Sequence, residues 1–242
     1  MHDPLFNDPR LAKIYDSVES DRSDLDGYAE IVDELGARSV LDIGCGTGTF
    51  ACMLASKGID VVGVDPAAAS LEVARLKPPA NSVRWLFGDA TMLPPLRVDL
   101  ATMTGNVAQV FLTDTEWTSC LRGIYEALRP GGRLVFEARD PDRMAWLEWT
   151  RDQTYCRINI SGSDVVEYWC DLLSVDPPLL TFRQSYAFGS DGVTIASDST
   201  LRFRGRDEIT NSLTESGFRL DEVRGAADRP GEEFVFLATR VD

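Results

Sequence analysis

The chain has 242 residues, of which 44% are apolar and 26% charged, so it can bury the core of one large α/β domain with or without a small insertion. Its formal net charge of -15 disfavours nucleic acid and anionic lipid as partners, because both carry negative charge. No apolar stretch approaches the roughly 20 residues that cross a bilayer, and no signal segment precedes the first helix, so we expect a cytoplasmic monomer or homodimer with no membrane partner.

Two short helices are predicted at the start of the chain, at residues 9–17 and 25–35, joined by a turn rich in Ser and Asp. Gly36 follows the second helix, in the place where glycine commonly ends one. We expect residues 1–37 to form a helical lid that covers the sheet that follows.

Short apolar runs alternate with helix-compatible stretches over the next hundred or so residues. The runs lie at residues 39–43, 60–64, 83–87, 98–103 and 133–136. Runs with little polar alternation are typical of strands covered on both faces, and strands that alternate with helices pair in parallel through right-handed crossovers. The predicted core, residues 38–145 and 205–242, is therefore an α/β domain with a doubly wound, mostly parallel sheet.

Longer runs with partial alternation follow Trp149 and predict an antiparallel β insertion at residues 146–204. The runs span residues 165–175, 180–188 and 193–203, and the sequence Gly-Ser-Asp-Gly at residues 189–192 supplies a hairpin turn. A helix at residues 207–216 and two strands, at residues 218–223 and 233–238, then return the chain to the main sheet.

Three arginines occupy every second position near the end of this insertion: Arg202, Arg204 and Arg206. This spacing predicts one exposed strand face, with recognition of an anionic substrate as the alternative.

The most specific motif is an apolar strand that runs into a glycine-rich turn, VLDIGCGTG at residues 40–48. Glycines let a backbone approach a ligand without Cβ collisions, and the amides at a helix start face outward. A dinucleotide site has the spacing GxGxxG, whereas here the third glycine, Gly48, comes one residue early. Asp42, on the strand, can bond to turn amides or to a cationic amino group of a ligand. Cys45 is interpreted as a packed residue rather than a nucleophile, since no histidine can activate it.

Carboxylates follow at the next two strand ends. Asp65 ends the run VVGVD, where its oxygens can accept hydrogen bonds from vicinal ribose hydroxyls. Asp89 follows the third strand, where it can accept from an adenine amino group while the amide of Ala90 addresses a ring nitrogen. The three strand ends therefore match an amino acid, a ribose and an adenine in order. The structural alternatives are that Asp65 caps the helix after Pro66 and that Asp89 stabilises a turn.

These motifs, together with LRPGGRL at residues 128–134, resemble the class I S-adenosylmethionine-dependent methyltransferases over residues 15–140. The resemblance implies a Rossmann-like methyltransferase fold of seven strands with the last one antiparallel. It also implies S-adenosylmethionine as the cofactor, S-adenosylhomocysteine as the product, and contacts from Asp65 to ribose and from Asp89 to adenine. The predicted cofactor-binding residues are Asp42, Gly44, Cys45, Gly46, Gly48, Asp65, Pro66, Asp89, Ala90, Thr104 and Gly105.

The segment after the fourth strand, MTGNVAQ at residues 103–109, faces the methionine portion and the acceptor in this family. Asn106 and Gln109 can each donate and accept hydrogen bonds, so they can orient a polar acceptor without supplying a base. The resemblance also places Tyr15, in the lid of small-molecule members, near cofactor or substrate, so Tyr15 and Asn106 are the candidate catalytic residues. The segment lacks the aromatic-rich Asn-Pro-Pro-Tyr signature of nucleic-acid amino methyltransferases, which favours a small-molecule acceptor over nucleic acid.

Arg139 and Asp140 follow the fifth strand and join Gln109 as candidate substrate-binding residues, with a solvated ion pair between the two as the alternative. Aromatic residues are dense after this point. We interpret most of them as core of the insertion, with an aromatic wall over the acceptor as the alternative. They are Trp146, Trp149, Tyr155, Tyr168, Trp169, Phe182, Tyr186 and Phe188.

The residues available for metal binding and for nucleophilic catalysis are few. The chain has five cysteines, none in a CxxC pair, and a single histidine, His2. We therefore predict neither a metal site nor a histidine-based catalytic triad.

Methyl transfer from a sulfonium requires an in-line approach to an already activated carbon, so positioning and desolvation can supply most of the catalysis. An amine acceptor needs only to bind in its neutral form, whereas a hydroxyl acceptor would use a base, for which Asp16, Tyr15 and Asp140 are candidates. The sequence thus predicts a methyltransferase acting on a nitrogen or oxygen of a small molecule. The alternatives are an NAD-dependent oxidoreductase that uses the same turn and Asp65, and a non-catalytic module that binds S-adenosylmethionine.

Overall fold

The computed structural model describes residues 3–161 and 164–241, so His2 lies outside the described residues. The helices are α1 (Pro4–Asn7), α2 (Pro9–Val18), α3 (Asp24–Glu34), α4 (Thr49–Ser56), α5 (Ala68–Ala74), α6 (Asp114–Ala127), α7 (Arg151–Thr154) and α8 (Arg206–Glu215). The strands are β1 (Ser39–Ile43), β2 (Asp60–Asp65), β3 (Val83–Phe87), β4 (Val98–Met103), β5 (Leu128–Arg139), β6 (Cys156–Ser161), β7 (Asp164–Asp176), β8 (Leu179–Phe188), β9 (Thr194–Arg202), β10 (Phe218–Gly225) and β11 (Glu233–Arg240). Within the described ranges, no helix has the length and apolar character needed to span a membrane.

The main sheet has seven strands in the order β10-β11-β5-β4-β1-β2-β3. Strands β1 to β5 pair in parallel, and β11 lies antiparallel to both β5 and β10. This confirms the predicted seven-stranded, mostly parallel sheet with its last strand antiparallel. The strand order reverses between β1 and β4, the place in such sheets where a crevice opens at the carboxyl edge.

Helices cover both faces of the main sheet, which explains why its central strands have apolar residues on both sides. On one face α6 packs through Trp117 and Leu121 against Phe136 of β5. On the opposite face α3 packs through Leu25 and Val32 in a second cluster. That cluster also contains the sheet residues Val40, Leu100, Val135 and Leu237.

The helices of the first 37 residues pack against two different sheets. Leu5 of α1 and Leu11 and Ile14 of α2 form a cluster with Val166 and Tyr186 of the second sheet. Helix α3 instead belongs to the layer that covers the main sheet. Of these three helices, α1 and α2 thus pack on the second sheet and α3 on the main sheet, and the boundary of the lid at residue 37 remains a prediction.

The second sheet has four strands in the order β6-β7-β8-β9, all antiparallel, as predicted for the insertion. Strand β6 is absent from the sequence-based prediction. Its signal is an alternation of apolar and polar residues in which Cys156, Ile158 and Ile160 fall on one face.

The prediction that Arg202, Arg204 and Arg206 form one exposed strand face was wrong, since β9 ends at Arg202 and the exposed Arg206 begins α8. Arg204 is only 3% exposed and donates a hydrogen bond to the carbonyl of Thr113 (3.2 Å). Arg202 donates to the carbonyl of Leu112 (3.2 Å) and pairs with Asp114 (2.8 Å). The two guanidinium groups thus attach the second sheet to the start of α6, because main-chain carbonyls and acidic side chains there provide acceptors that strand alternation does not reveal.

Candidate active site

The glycine-rich turn is bound to the neighbouring strand by its own amides. The amides of Gly44 and Cys45 both donate to the carbonyl of Val64, at 2.9 and 3.2 Å. Burial raises the pKa of the Cys45 thiol, which supports a packed rather than a nucleophilic residue. Helix α4 starts directly after the turn, so the turn amides lie at its N-terminal end.

The glycines of the site serve two purposes, close packing and open access. A Cβ at Gly44 would lie 2.4 Å from Val107 Cγ2, and one at Gly48 would lie 2.5 Å from the ring of Trp85. At Gly46 and Gly105, by contrast, a Cβ would meet nothing within 4 Å. These two glycines expose backbone at the carboxyl edge of the sheet, as a cofactor bound along the backbone requires.

Asp42 lies at the centre of the sheet and is 1% exposed. Its Oδ1 accepts a hydrogen bond from Thr102 Oγ1 (3.1 Å), and among the described residues its buried Oδ2 has no hydrogen-bond partner. Burial raises the pKa of Asp42 to about 7; the Thr102 hydrogen bond opposes the shift, and the charge of Asp65 adds to it. A buried acceptor in this state fits the cationic amino group of a ligand.

Asp65 connects the turn to the start of α5. Its Oδ2 accepts from the amide of Gly46 (2.8 Å), and its Oδ1 accepts from the amide of Ala67 (2.7 Å). A carboxylate oxygen can accept more than one hydrogen bond, so these bonds do not preclude contacts with ribose hydroxyls. The Ala67 amide precedes α5 and no side chain caps that helix, so Asp65 supports the approach to α5 without capping it.

The end of β3 lies beside the end of β2, since the amide of Gly88 donates to the carbonyl of Asp65 (3.1 Å). Asp89 is exposed at this position, and its Oδ1 accepts from the amide of Thr91 (2.8 Å). It thus caps a short turn, which is the predicted structural alternative, while Ala90 is buried and Pro66 half-buried. The three strand-end carboxylates share one edge of the sheet.

The loop after β4 takes an unusual backbone conformation. Gly105 has φ 73° and Asn106 has φ 61°. The amide of Asn106 donates to Glu137 Oε1 (2.7 Å), and its side-chain Nδ2 donates to Glu233 Oε1 (3.3 Å). Thr104, which precedes them, directly follows β4 and is half-buried.

Gln109, in the same loop, contacts the end of β5. Its Oε1 accepts a hydrogen bond from the amide of Arg139 (3.4 Å). Arg139 lies 3.5 Å from Glu233, and Asp140 lies 3.9 Å from Arg143. The alternative of an ion pair between Arg139 and Asp140 is therefore wrong, because each has another partner. Asp140 also accepts from the amide of Asp142 (3.0 Å), which caps a short turn.

Two neighbouring residues of α2, Tyr15 and Asp16, contact different parts of the molecule. Tyr15 packs with the second sheet and Phe6, at 6.0 Å between ring centroids, and burial raises its pKa to about 12. Asp16 accepts from Thr47 Oγ1 (2.6 Å) and forms an ion pair with Lys77 (2.6 Å). The lid is thus attached to the glycine-rich turn through Asp16, whereas Tyr15 contributes to the core of the lid.

An aromatic face leads from β5 across the second sheet. The guanidinium of Arg139 lies 5.5 Å from the ring centroid of Trp149, which contacts Phe182 at 4.7 Å. Further along the same face, Gln184 Nε2 donates to the hydroxyl of Tyr168 (3.1 Å). These side chains are only partly buried.

The other aromatic residues mostly have structural roles. Trp146, Tyr186 and Phe188 are buried in the clusters that join the second sheet to its neighbours, as the core interpretation predicts. Trp169 packs under Arg151, and Tyr155 is 45% exposed.

Sequence reasoning missed three charged residues of this region, Glu137, Glu233 and Lys77. Glu137 and Glu233 are acidic residues within strands that are otherwise apolar, at 5% and 3% exposure. A carboxyl in an apolar strand was the available signal, because such a group is buried only where it has hydrogen-bond partners. Lys77 lies in a polar segment and carries no such signal.

A family profile described as a methyltransferase domain matches residues 40–132. The cypemycin N-terminal methyltransferase of a Streptomyces species is 35% identical over 147 residues, which cover 58% of this chain and 59% of that protein. This chain therefore spans about six-tenths of that relative's length. A putative methyltransferase from Geobacillus sp. (strain WCH70) is 32% identical over 217 residues, 85% of each protein.

The structure of CalS10 with bound S-adenosylmethionine, an amino pentose methyltransferase from Micromonospora echinaspora involved in calicheamicin biosynthesis, shares the fold. Its TM-score is 0.74 at 23% identity, over 91% of this chain and 92% of that one. The family match removes the NAD-dependent oxidoreductase as an alternative, since both the glycine spacing and the relatives favour the other cofactor. With its glycine-rich turn, its strand-end carboxylates and its seven-stranded sheet, the chain belongs to the class I S-adenosylmethionine-dependent methyltransferases.

Proposed function

We propose that the protein methylates an amino nitrogen of a small polar molecule, with amino sugars as the first class to test. The observation that carries this proposal is that each candidate base is engaged elsewhere. Burial raises the pKa of Tyr15 to about 12, Asp16 is paired with Lys77, and Asp140 caps a turn. A neutral amine can attack without a base, whereas a hydroxyl acceptor would benefit from one.

The residues for the cofactor fit its chemistry. When bound, S-adenosylmethionine supplies a methyl group on a sulfonium, already activated for transfer. Asp65 would accept hydrogen bonds from the ribose hydroxyls, Asp89 and Ala90 would contact the adenine, and the buried Oδ2 of Asp42 would face the amino end. The exposed backbone at Gly46 and Gly105 would lie along the ligand.

The acceptor would bind between the loop after β4 and the aromatic face of the second sheet. Within the described residues, the buried Asn106 Oδ1 and Gln109 Nε2 have no hydrogen-bond partner, so each can bind a polar group of an acceptor. Trp149 offers a flat ring, and aromatic rings attract cationic or partly positive groups. This chain would then act mainly by orienting the acceptor and excluding water.

The names of two relatives support an amine. One is an N-terminal methyltransferase for cypemycin, and the other acts on an amino pentose. The first name specifies an N-terminus and the second an amino pentose, so each names a molecule with an amino group. Both classes therefore belong in the test.

The test is an assay of S-adenosylhomocysteine release from S-adenosylmethionine with matched pairs of acceptors. Each pair consists of an amino sugar and the sugar with hydroxyl in place of the amine, and a short peptide with a free N-terminus is included. We expect turnover with an amino sugar and none with its hydroxyl partner. Turnover with hydroxyl compounds alone would contradict the proposal, and turnover with the peptide alone would replace the sugar by a peptide acceptor.

A binding measurement separates the cofactor from the acceptor. Thermal unfolding with S-adenosylhomocysteine should shift the midpoint upward, because a ligand that binds only the folded state stabilises it. NAD at the same concentration should leave the midpoint unchanged. Cofactor binding without turnover on any acceptor in the panel would favour the non-catalytic module.

A further inference from the structure

Two buried carboxyl groups lie beside the loop that follows β4. Glu137 of β5 and Glu233 of β11 are 5% and 3% exposed, and both strands pair antiparallel at this end of the sheet. Neither residue belongs to the cofactor contacts assigned above. A buried carboxyl needs partners, so their contacts indicate what they do there.

The hydrogen-bond partner of Glu137 is a backbone amide of the loop. Its Oε1 accepts from the amide of Asn106 at 2.7 Å, and the nearby amide of Gly105 also lowers the pKa of the carboxyl. Both loop residues have positive φ, 73° and 61°, a conformation that glycine adopts freely and that asparagine accepts more readily than most other residues. Both residues can equally adopt negative φ, so the hydrogen bond to the carboxyl of Glu137 selects this one loop conformation.

The partners of Glu233 are side chains. It accepts from Asn106 Nδ2 (3.3 Å) and pairs with Arg229 (2.7 Å) and Arg139 (3.5 Å). Two guanidinium groups thus compensate the negative charge of Glu233, whereas the hydrogen-bond partner of Glu137 is the loop amide of Asn106. The charged groups that act on Glu137 are Glu233, Arg139 and Arg229.

Glu137 changes its protonation near neutral pH. Burial raises the pKa of its carboxyl to about 7, the charge of Glu233 adds to this, and the Asn106 amide and Arg139 oppose it. An ionised carboxylate accepts amide hydrogen bonds more strongly than a neutral carboxylic acid. The hydrogen bond between the Asn106 amide and Glu137 is therefore stronger above about pH 7 than below it.

We propose that Glu137 is a positioning residue: its carboxylate fixes Gly105 and Asn106 in the conformation that receives the methionine end of the cofactor. This inference rests on the placement of the cofactor given under the proposed function. Glu137 acts through the loop, since its hydrogen bond is with the backbone amide of Asn106. Ionisation of Glu137 then links cofactor affinity to pH.

The test uses the affinity for S-adenosylhomocysteine, measured by titration calorimetry between about pH 6 and about pH 8.5. In the wild-type protein we expect the affinity to fall as the pH decreases through 7. Glu137→Gln has the same shape but no charge, and we expect about tenfold weaker binding at the high end of the range, the effect of one charge-assisted hydrogen bond. The pH dependence of its affinity should shrink to the part that Asp42 contributes, since burial also raises the pKa of Asp42 to about 7. A purely structural loss would weaken binding without reducing the pH dependence.

Two further variants sharpen the result. Glu137→Asp keeps the charge on a shorter side chain, and we expect weak binding that still depends on pH. Glu126→Gln makes the matched change at an exposed position of α6 and should behave like the wild type.

A folded Glu137→Gln variant with the affinity and pH dependence of the wild type would overturn the inference. Failure of the wild type to bind S-adenosylhomocysteine would instead overturn the cofactor placement on which the inference rests. Hydrogen exchange in the wild type needs no variant and gives a second test. The protection factor of the Asn106 amide should decrease below about pH 7, and a pH-independent factor would contradict the role of Glu137.

Discussion

Asp65 holds the glycine-rich turn and the start of α5 with its two carboxylate oxygens. The amides of Gly46 and Ala67 donate to it at 2.8 and 2.7 Å. A residue with this geometry organises the turn and, in our proposal, also binds the ribose. Both roles predict that its removal affects the cofactor more than the fold.

Asp65→Ala should weaken the binding of S-adenosylhomocysteine by about 1–3 kcal/mol, the scale for losing hydrogen bonds to a charged group. Titration calorimetry measures the change. Asp60→Ala, at the exposed first position of the same strand, is the matched control and should bind as the wild type does. Unchanged affinity in a folded Asp65→Ala variant would show that the ribose is held elsewhere.

Gly48 and Gly58 have similar backbone conformations, with φ 78° and 83°, but different surroundings. A Cβ at Gly48 would lie 2.5 Å from Trp85 and 2.9 Å from Ala74, whereas one at Gly58 would meet nothing within 4 Å. Substitution by alanine strains the backbone at both positions by about 1–2 kcal/mol.

Gly48→Ala should therefore lower the free energy of unfolding by about 1–3 kcal/mol more than Gly58→Ala does, because overpacking adds to the backbone strain. Urea unfolding of the two variants measures the difference. Equal losses would mean that the ring of Trp85 moves aside without cost.

Helix α2 is an element whose position depends on polar contacts as well as packing. Asp16 binds Thr47 of the turn and Lys77, whose Nζ also donates to Thr49 Oγ1 (2.7 Å). The pair is partly shielded, with side chains 23% and 35% exposed. Helix α2 of the lid and the glycine-rich turn are thus joined through one small network of hydrogen bonds and an ion pair.

Lys77→Met should loosen α2. Loss of a partly buried ion pair costs about 0.5–1 kcal/mol, so hydrogen exchange across α2 should accelerate roughly twofold to fivefold. Lys57→Met is the control, since Lys57 pairs with Asp33 through side chains 40% and 60% exposed. Equal exchange in the two variants would show that packing against the second sheet alone holds α2.

The stability of the whole molecule should depend on pH through its buried carboxyls. Burial raises the pKa of Asp42 and of Glu137 to about 7 each. Unfolded carboxyls titrate near about pH 4, so between these values the native state binds more protons than the unfolded chain. The stabilising effect of these protons is complete below the unfolded pKa and is lost as the pH rises through 7.

The free energy of unfolding should therefore decrease between about pH 5 and about pH 8, by roughly 1–4 kcal/mol. Urea unfolding across this range measures the slope, and the double variant Asp42→Asn and Glu137→Gln should flatten it. Hydrogen bonds lower the pKa of Asp99 and Glu116 despite some burial, so these groups lose their contribution only at more acidic pH. A free energy of unfolding that rises or stays constant across the range would contradict the prediction.

Much of the fold was predictable because its signals are local. The turn at residues 40–48 and the strand-end residues Asp65 and Asp89 each lie within a short segment, and parallel pairing brings strand ends to one edge. The antiparallel insertion was predicted from its alternating runs, although β6 was not. These features follow from periodicity and turn chemistry, which act between neighbours in the chain.

The amino-acid sequence by itself determined the sheet, the family and the edge at which the predicted cofactor residues meet. Only the tertiary structure decided which charges are buried and with what partners. Glu137 and Glu233 meet the loop of Asn106 because β5 and β11 pair, and Arg204 is buried because the second sheet docks against α6. A buried charge is tolerated only where distant segments supply its partners, and that condition depends on packing across the chain rather than on its local pattern.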